Sequence, residues 1–381
     1  MDLALVFQGC HTRGGVERSV FEAARYFRRD HRVTVYATDF AESGLDGIEK
    51  VAVSPGVEGP LRPFSFARNA RASLGDAHDH VIGFGVGDVG ADVLWVNSVH
   101  RAWLEAARSL PWRGVRHPAL RYLMPRHQAI LAAERQYFRR TPASLVVVVA
   151  DRVGQDLTRL YGVPTSRIRT IHNGFAPNEF SPQRSAELRA ASRERLGYAE
   201  DDIVLVMAAN ELERKGFHTT LDAMQIVNDA RLKLLLVGRA DPSEALAARR
   251  AEGKKDAVQW PGSVEMAQAL AAADAFVLPT QYEAFCLAIV EALAAGLPVI
   301  TSTVPGAGDV VTTGLNGLLV EDPTNVGELA TALKQIADSP RRRELAAGAA
   351  ESVRPLAWPE LFGRAEELLR ALPTRDSMAW R

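Results

Sequence analysis

Asp274–Thr301 reads DAFVLPTQYEAFCLAIVEALAAGLPVIT. Ala275–Leu278 has the pattern of a buried strand that ends at Pro279. A loop carrying Glu283 follows, a helix begins near Cys286, and Pro298–Thr301 reads as the next strand. Strand, helix and strand in that order make one parallel βαβ step. Outward from this stretch, short apolar β-branched runs alternate with longer helical patterns along the whole chain. Leu3–Phe7, Arg32–Tyr36, His80–Phe84, Val93–Val96, Leu145–Val149 and Arg169–His172 read as strands of one parallel sheet. Ile203–Ala208, Lys233–Val237, Ala257–Trp260, Ala275–Leu278 and Pro298–Thr301 read as strands of a second. Runs of Val, Ile and Leu without polar alternation suit strands covered by helices on both faces. The alternation predicts doubly wound α/β domains.

A chain of 381 residues accommodates two such domains. Ala176–Ser192 contains Pro177 and Pro182 and has no strand character, which makes it the expected linker. The domains are therefore expected at 1–180 and 193–354, with 359–381 packing back on the first after the break where Pro355 and Pro359 bracket Trp358. Open α/β sheets bind ligands at the carboxyl ends of their strands, so two in series are expected to face a central cleft.

Hydrophobic residues at 47% and charged residues at 24% describe an ordinary globular protein, and a net charge of −1 gives no general attraction to nucleic acid. The two cysteines, Cys10 and Cys286, fall in different expected domains; no disulfide framework follows, which suits a reducing cytoplasm. The first residues, MDLALVFQGC, lack the basic start of a signal peptide. No run reaches the ~18 apolar residues of a membrane-spanning helix. A cytoplasmic protein, or one peripheral on the inner membrane face, is expected.

The helix start at Phe285, Cys286 and Leu287 presents unbonded amides at a sheet's carboxyl end, a place suited to an anion such as a diphosphate. Glu283, just ahead of those amides, is placed to accept hydrogen bonds from sugar hydroxyls. Glu291, inside the helix, can accept from a ribose diol. A lone glutamate there would need no role beyond complementing the helix dipole; the whole string asks for more. Arg214-Lys215-Gly216, after the strand Ile203–Ala208, offers cations for the charge that grows on a departing diphosphate. Lysine is scarce here, six against thirty-nine arginines, which singles out Lys215. A solvated loop pair is the plainer reading, and Gly216 argues against it. Gly14-Gly15 joins the first strand to a helix, and Gly15 lets backbone approach a ligand without Cβ interference. His100 ends the strand-like run Val93–His100, where it can meet a donor sugar or an acceptor hydroxyl.

Tyr282–Glu291 with its continuation to Ile300 resembles the E-x7-E motif of family 4 glycosyltransferases, with Glu283 and Glu291 at the acidic positions. The resemblance extends over nearly the whole chain. Gly14-Gly15-Val16-Glu17-Arg18, Asn173-Gly174-Phe175 with Phe180, Arg214-Lys215-Gly216 and Asn316–Val320 are similar to further family segments. Arg126–Asp156 looks most like the lipopolysaccharide-core glucosyltransferases. The resemblance implies the GT-B architecture, an N-terminal acceptor domain, a C-terminal nucleotide-sugar donor domain and retention of anomeric configuration. It assigns catalysis to Glu283, Lys215 and His100, and donor binding to Gly15, Arg214, Phe285, Cys286, Leu287 and Glu291. The donor would be a nucleotide-diphosphate sugar, such as a UDP-sugar, and the acceptor a glycan, a glycolipid or a small-molecule hydroxyl. One departure stands out. The arginine that many members carry directly after the donor domain's first strand is replaced by Ala209 or Asn210, and Arg214 is the candidate to take over its phosphate contact.

Gly85-Val86-Gly87-Asp88-Val89-Gly90 satisfies G-x-G-x-x-G, yet Ala91–Val96 reads as a strand where a dinucleotide fingerprint opens a helix. Cys286 has no base spaced with it and reads as packing. No Asp-x-Asp triplet or His/Cys cluster provides metal ligands, so neither metal nor cofactor is expected. Arg101–Arg140 carries nine arginines against two acids, together with Trp103, Trp112, Tyr122, Tyr137 and Phe138. Such a stretch suits an anionic membrane surface or a phosphorylated lipid, or else a solvated helical face. Two other functions remain open: a non-catalytic nucleotide-sugar-binding protein, and a GT-B-like phosphorylase or epimerase.

Overall fold

The apolar runs form two parallel sheets. The structure is a computed structural model describing residues 1–75, 77–85, 89–109, 123–140, 143–253, 257–262 and 264–375. The chain divides into two units, Met1–Asn173 with Trp358–Arg381, and Gly174–Ala357.

The first unit contains β1 (Asp2–Val6), β2 (Gly9–Cys10), β3 (Arg32–Ala37), β4 (Asp39–Phe40), β5 (Glu49–Ala52), β6 (His80–Phe84), β7 (Val93–Val96), β8 (Leu145–Val148) and β9 (Ile168–Thr170). Seven of these pair in the order β5-β3-β1-β6-β7-β8-β9, while β2 and β4 form a separate ribbon. Leu3 of β1 stands opposite Val33 on one side and His80 on the other, and Leu3, Ala4 and Leu5 are fully buried. The winding direction reverses between β1 and β6.

In the second unit β10 (Ile203–Ala208), β11 (Leu232–Val237), β12 (Val258–Gln259), β13 (Ala275–Leu278), β14 (Val299–Ser302) and β15 (Gly317–Val320) pair in the order β12-β11-β10-β13-β14-β15. Here the reversal falls between β10 and β13, where Leu205 faces Ala275 and Val206 faces Phe276. Such reversal points open a crevice at the strands' carboxyl ends.

Several expectations need correction. The tract assigned to the linker holds a helix, Pro182–Leu196, capped by the Ser181 hydroxyl accepting from the Arg184 amide at 3.2 Å. Pro182 sits in its first turn, where proline starts a helix instead of breaking one. Arg189 and Arg193 then bind Asp274 at the foot of β13, at 2.7 and 3.2 Å. The first unit ends at Asn173 instead of 180, because Phe175 already bridges to Ala357 in the second. The return falls at Trp358, and the helix Trp358–Arg370 lays Phe362 against Phe27 and Trp95, ring centroids 5.8 and 5.9 Å apart. The basic stretch resolves into the helices His100–Ser109 and Pro125–Arg140; Trp112 and Tyr122 lie outside the described residues. Gly85 and Gly90 belong to the connection between β6 and β7, and a strand indeed follows; residues 86–88 lie outside the described set.

Candidate active site

Three loops interlock at the reversal point of the second unit. The loop after β10 ends at Gly216, whose backbone is left-handed (φ 76°) and lies against the Pro279 carbonyl so closely that a Cβ would overlap it. The Gln281 amide donates to the Arg214 carbonyl at 2.9 Å, tying the loop after β13 to the loop after β10. From the loop after β14, Gly306 (φ 86°) lies against the carbonyls of Glu283 and Ala284, and its own carbonyl accepts from the Cys286 amide at 3.1 Å. Glycine is required at Gly216 and Gly306 for both conformation and close approach.

This frame brings Glu283, Lys215 and Arg214 together. Arg214 Nη1 donates to Glu283 Oε1 at 2.8 Å and to the Tyr282 carbonyl at 2.6 Å, while its Nε donates to Glu211 Oε2 at 3.1 Å. Lys215 Nζ donates to the same Glu283 Oε1, and the Thr280 hydroxyl lies 3.5 Å from it. These contacts all fall on Oε1. Burial pushes the Glu283 carboxyl upward, but the Lys215 and Arg214 charges outweigh it and hold the group below the usual carboxylate range. A buried carboxylate thus stays ionised between two cations.

The helix Leu287–Ala294 begins beside this cluster with no side-chain cap, and Leu287 and Ala288 are only partly buried. An uncapped helix start attracts negative charge. Cys286 precedes it, and burial raises its thiol to about 11, so it stays protonated and unreactive near neutral pH. Phe285 and Glu291 are buried. Glu211 and Thr280 were missed by sequence reasoning, because a single polar side chain in a loop carries no periodic signal.

Gly15 and His100 belong to the first unit. Gly15 opens the helix Gly15–Phe27, and its carbonyl accepts from the Ser19 hydroxyl at 3.0 Å. That hydroxyl also lies 3.1 Å from Asn173 Oδ1, and Asn173 Nδ2 donates to Asn97 Oδ1 at 3.0 Å, so the Asn-Gly segment anchors the strand ends. His100 does not end a strand: β7 stops at Val96, and His100 is the first residue of the helix His100–Ser109. The reason is Glu134, a fully buried carboxylate that accepts from the amides of His100 and Arg101 at 2.5 and 3.1 Å and so caps that helix from another one. Among the described residues no group of three or more His, Cys, Asp or Glu could hold a metal ion.

A family model described as Glycosyltransferase Family 4 matches residues 13–179, and one described as Glycosyl transferases group 1 matches 189–352. The chain belongs to the family 4 glycosyltransferases. This family 4 chain is similar to the D-inositol 3-phosphate glycosyltransferase of Xylanimonas cellulosilytica, 32% identical over 250 residues that cover 62% of this chain and 58% of that one. It is also similar to the lipopolysaccharide glucosyltransferase WaaG of Escherichia coli, 24% identical over 225 residues, covering 58% of this chain and 60% of WaaG. The chain spans a little over half the length of the curated relatives it matches. A solved WaaG structure matches with a TM-score of 0.80 at 21% identity, covering 96% of this chain and 99% of that one. Anabaena HepE, solved with UDP and glucose, matches at 0.71 and 21%, covering 98% and 100%. These likenesses establish the GT-B fold.

Proposed function

We propose that this protein is a retaining, metal-independent glycosyltransferase that moves a hexose from a nucleotide-diphosphate sugar to a hydroxyl of a glycan, glycolipid or small molecule. The observation that carries the reading is the Glu283–Lys215–Arg214 cluster beside an uncapped helix start at the reversal of β10 and β13. A diphosphate would lie against the amides of Leu287 and Ala288. Lys215 and Arg214 would take up the negative charge that grows as the glycosidic bond breaks, the task a divalent cation performs elsewhere. Arg214 would thereby replace the arginine missing at Ala209. Glu283 Oε2 would accept from the sugar hydroxyls and fix the ring, and Glu291 would accept from the ribose.

A double displacement needs a nucleophilic carboxylate with an acid–base partner about 5–5.5 Å away. Glu283 already serves two cations, which favours same-face attack with the leaving phosphate taking the acceptor's proton. The similar proteins' names suggest a phosphorylated polyol or an envelope glycolipid as acceptor. For a peripheral position at an anionic membrane, the support is the arginine-rich 101–140 stretch with Leu123 76% and Met124 47% exposed. No described helix is long and apolar enough to cross a membrane.

The test is donor binding and slow hydrolysis over UDP-, GDP-, ADP- and dTDP-sugars, with and without chelator, for wild type, Glu283→Ala and Lys215→Ala. One donor turned over by the wild type and by neither variant, unaffected by chelator, is expected. Absence of binding to every sugar nucleotide would sink the reading.

A further inference from the structure

The helix Pro125–Arg140 grips His100 at two points. Glu134 holds its backbone amide, as described above, and His127 holds its ring. Nε2 of His100 and Nδ1 of His127 lie 2.9 Å apart in a hydrogen bond that joins the two imidazoles edge to edge, with centroids 5.1 Å apart and planes 16° from parallel. The Trp103 ring lies against both, its centroid 5.3 Å from that of His100 and 5.8 Å from that of His127. Glu134 is itself fixed by the Tyr161 hydroxyl, which donates to Oε2 at 2.7 Å. Backbone, ring plane and ring rotation of His100 are therefore each set by a separate contact. A residue serving only to fill space would not need all three.

We propose that His127 is a positioning residue for sugar transfer, fixing the ring and tautomer of His100 so that His100 Nδ1 meets a substrate hydroxyl in one defined sense; this rests on the glycosyltransferase reading above. A neutral imidazole carries one proton on its two nitrogens, and one proton lies between His100 and His127. Once the His127 bond decides the state of Nε2, Nδ1 is either donor or acceptor and cannot be both. His100 must be neutral for this, and its surroundings keep it so. Burial, His127 and Arg126 lower His100 to about 4. Its place in the first turn of a helix acts in the same direction. The other charged groups nearby are paired: Arg101 Nε donates to Glu105 at 3.1 Å and Arg159 to Glu105 at 2.9 Å, while Glu134 is engaged with the helix start. Cationic His100 would lose the acceptor state and repel Arg126.

The experiment compares the full chain with His127→Asn, which keeps a polar atom near the place of Nδ1, and His127→Leu, which removes it. Transfer kinetics are measured against pH, and the His100 imidazole is titrated by NMR. Misplacing a group that must meet a hydroxyl reduces kcat by roughly tenfold to a hundredfold. That loss is expected for His127→Leu, with the donor KM nearly unchanged and the acid limb of kcat/KM moved to higher pH. His127→Asn is expected to restore most of the rate. The His100 titration is expected to move up in His127→Leu. Equal losses in the two variants, or a His100 titration and rate that ignore His127→Leu, would overturn the proposal. The titration does not require turnover, so a wild type that binds no sugar nucleotide breaks the functional reading alone, and the titration still decides whether His127 governs His100.

Discussion

The two sheets reverse direction in the same way, but they surround their reversal points with different chemistry. In the second unit the loops lock around charge: Glu283 between Lys215 and Arg214, the first two buried and Arg214 partly so, with glycines pressed onto neighbouring carbonyls. In the first unit the strand ends are joined by neutral groups, Ser19, Asn173 and Asn97, with the hydrogen-bonded imidazoles of His100 and His127 joining two adjoining helices. A shared topology therefore fixes where a ligand can sit and leaves its kind to a handful of loop residues. Charge at one point suits a diphosphate, and neutral donors and acceptors at the other suit a hydroxyl.

That contrast can be broken by substitution. The largest effect is expected from Glu283→Ala. Removing one member of a buried ionic cluster leaves cations unpaired and costs about 3–5 kcal/mol, visible as a lowered urea midpoint. Asn97→Ala in the first unit is expected to cost about 1 kcal/mol, the worth of one neutral hydrogen bond. If the two cost the same, the contrast between a charged and a neutral centre fails. Gly306→Ala comes next. Its Cβ would run into two backbone carbonyls, 2.5 Å from that of Ala284 and 2.6 Å from that of Glu283. The strain is about 1–3 kcal/mol and displaces Glu283, so stability and donor binding should fall together. Gly14→Ala also forces a side chain onto a backbone that favours glycine (φ 121°), but its Cβ meets chiefly the carboxylate end of Glu17, which can swing away, so it carries the conformational strain without a carbonyl overlap; calorimetry on both variants compares the two.

Acid sharpens the contrast. His100 is held down to about 4 from its ordinary 6.5, so the unfolded chain takes up a proton first and stability contributed by this group is lost as pH falls from 6.5 towards 4. Glu134 opposes this near the carboxylate range, since burial raises it and protonation then favours the folded state. Glu283 is depressed, so its contribution is full above its ordinary 4.5 and disappears only below. Hydrogen exchange resolved by segment should show the helix His100–Ser109 loosening at a higher pH than the loop around Glu283. The smallest effect is expected from Cys286→Ala. A neutral buried thiol contributes packing alone, so turnover should stay close to wild type and alkylation of the native protein should be slow; rapid inactivation by iodoacetamide would contradict this.

Much of the frame was legible in the sequence because fully buried parallel strands leave uninterrupted apolar runs, as at Ile203–Ala208 and Ala275–Leu278. Glu283, Arg214, Lys215 and Gly216 of the second unit's site lie within two short loops, and local spacing exposed them; Gly306, in a third loop, carried no such signal. What escaped depended on partners distant in sequence. β5 reads EKVA and is largely exposed at a sheet edge, with no apolar signature. The helix Pro182–Leu196 is held by Asp274, about eighty residues away, and its opening proline looked like a break. His100 starts a helix because of Glu134, which in sequence is merely one acid among many arginines.

The helix Trp358–Arg370 completes the first unit. Phe362 fills the space between Phe27 and Trp95, Glu366 meets His31 at 3.1 Å, and beyond the helix Arg375 binds Asp92 at 2.7 Å. On the ribosome this reverses the order of birth. Gly174–Ala357 is one uninterrupted stretch and can condense as soon as it has left the exit tunnel. The sheet translated first must wait, its Phe27 and Trp95 uncovered, until residues 358–375 arrive. The unit begun earliest is the last to be finished, and through that interval it is the part of the nascent chain that most needs a chaperone.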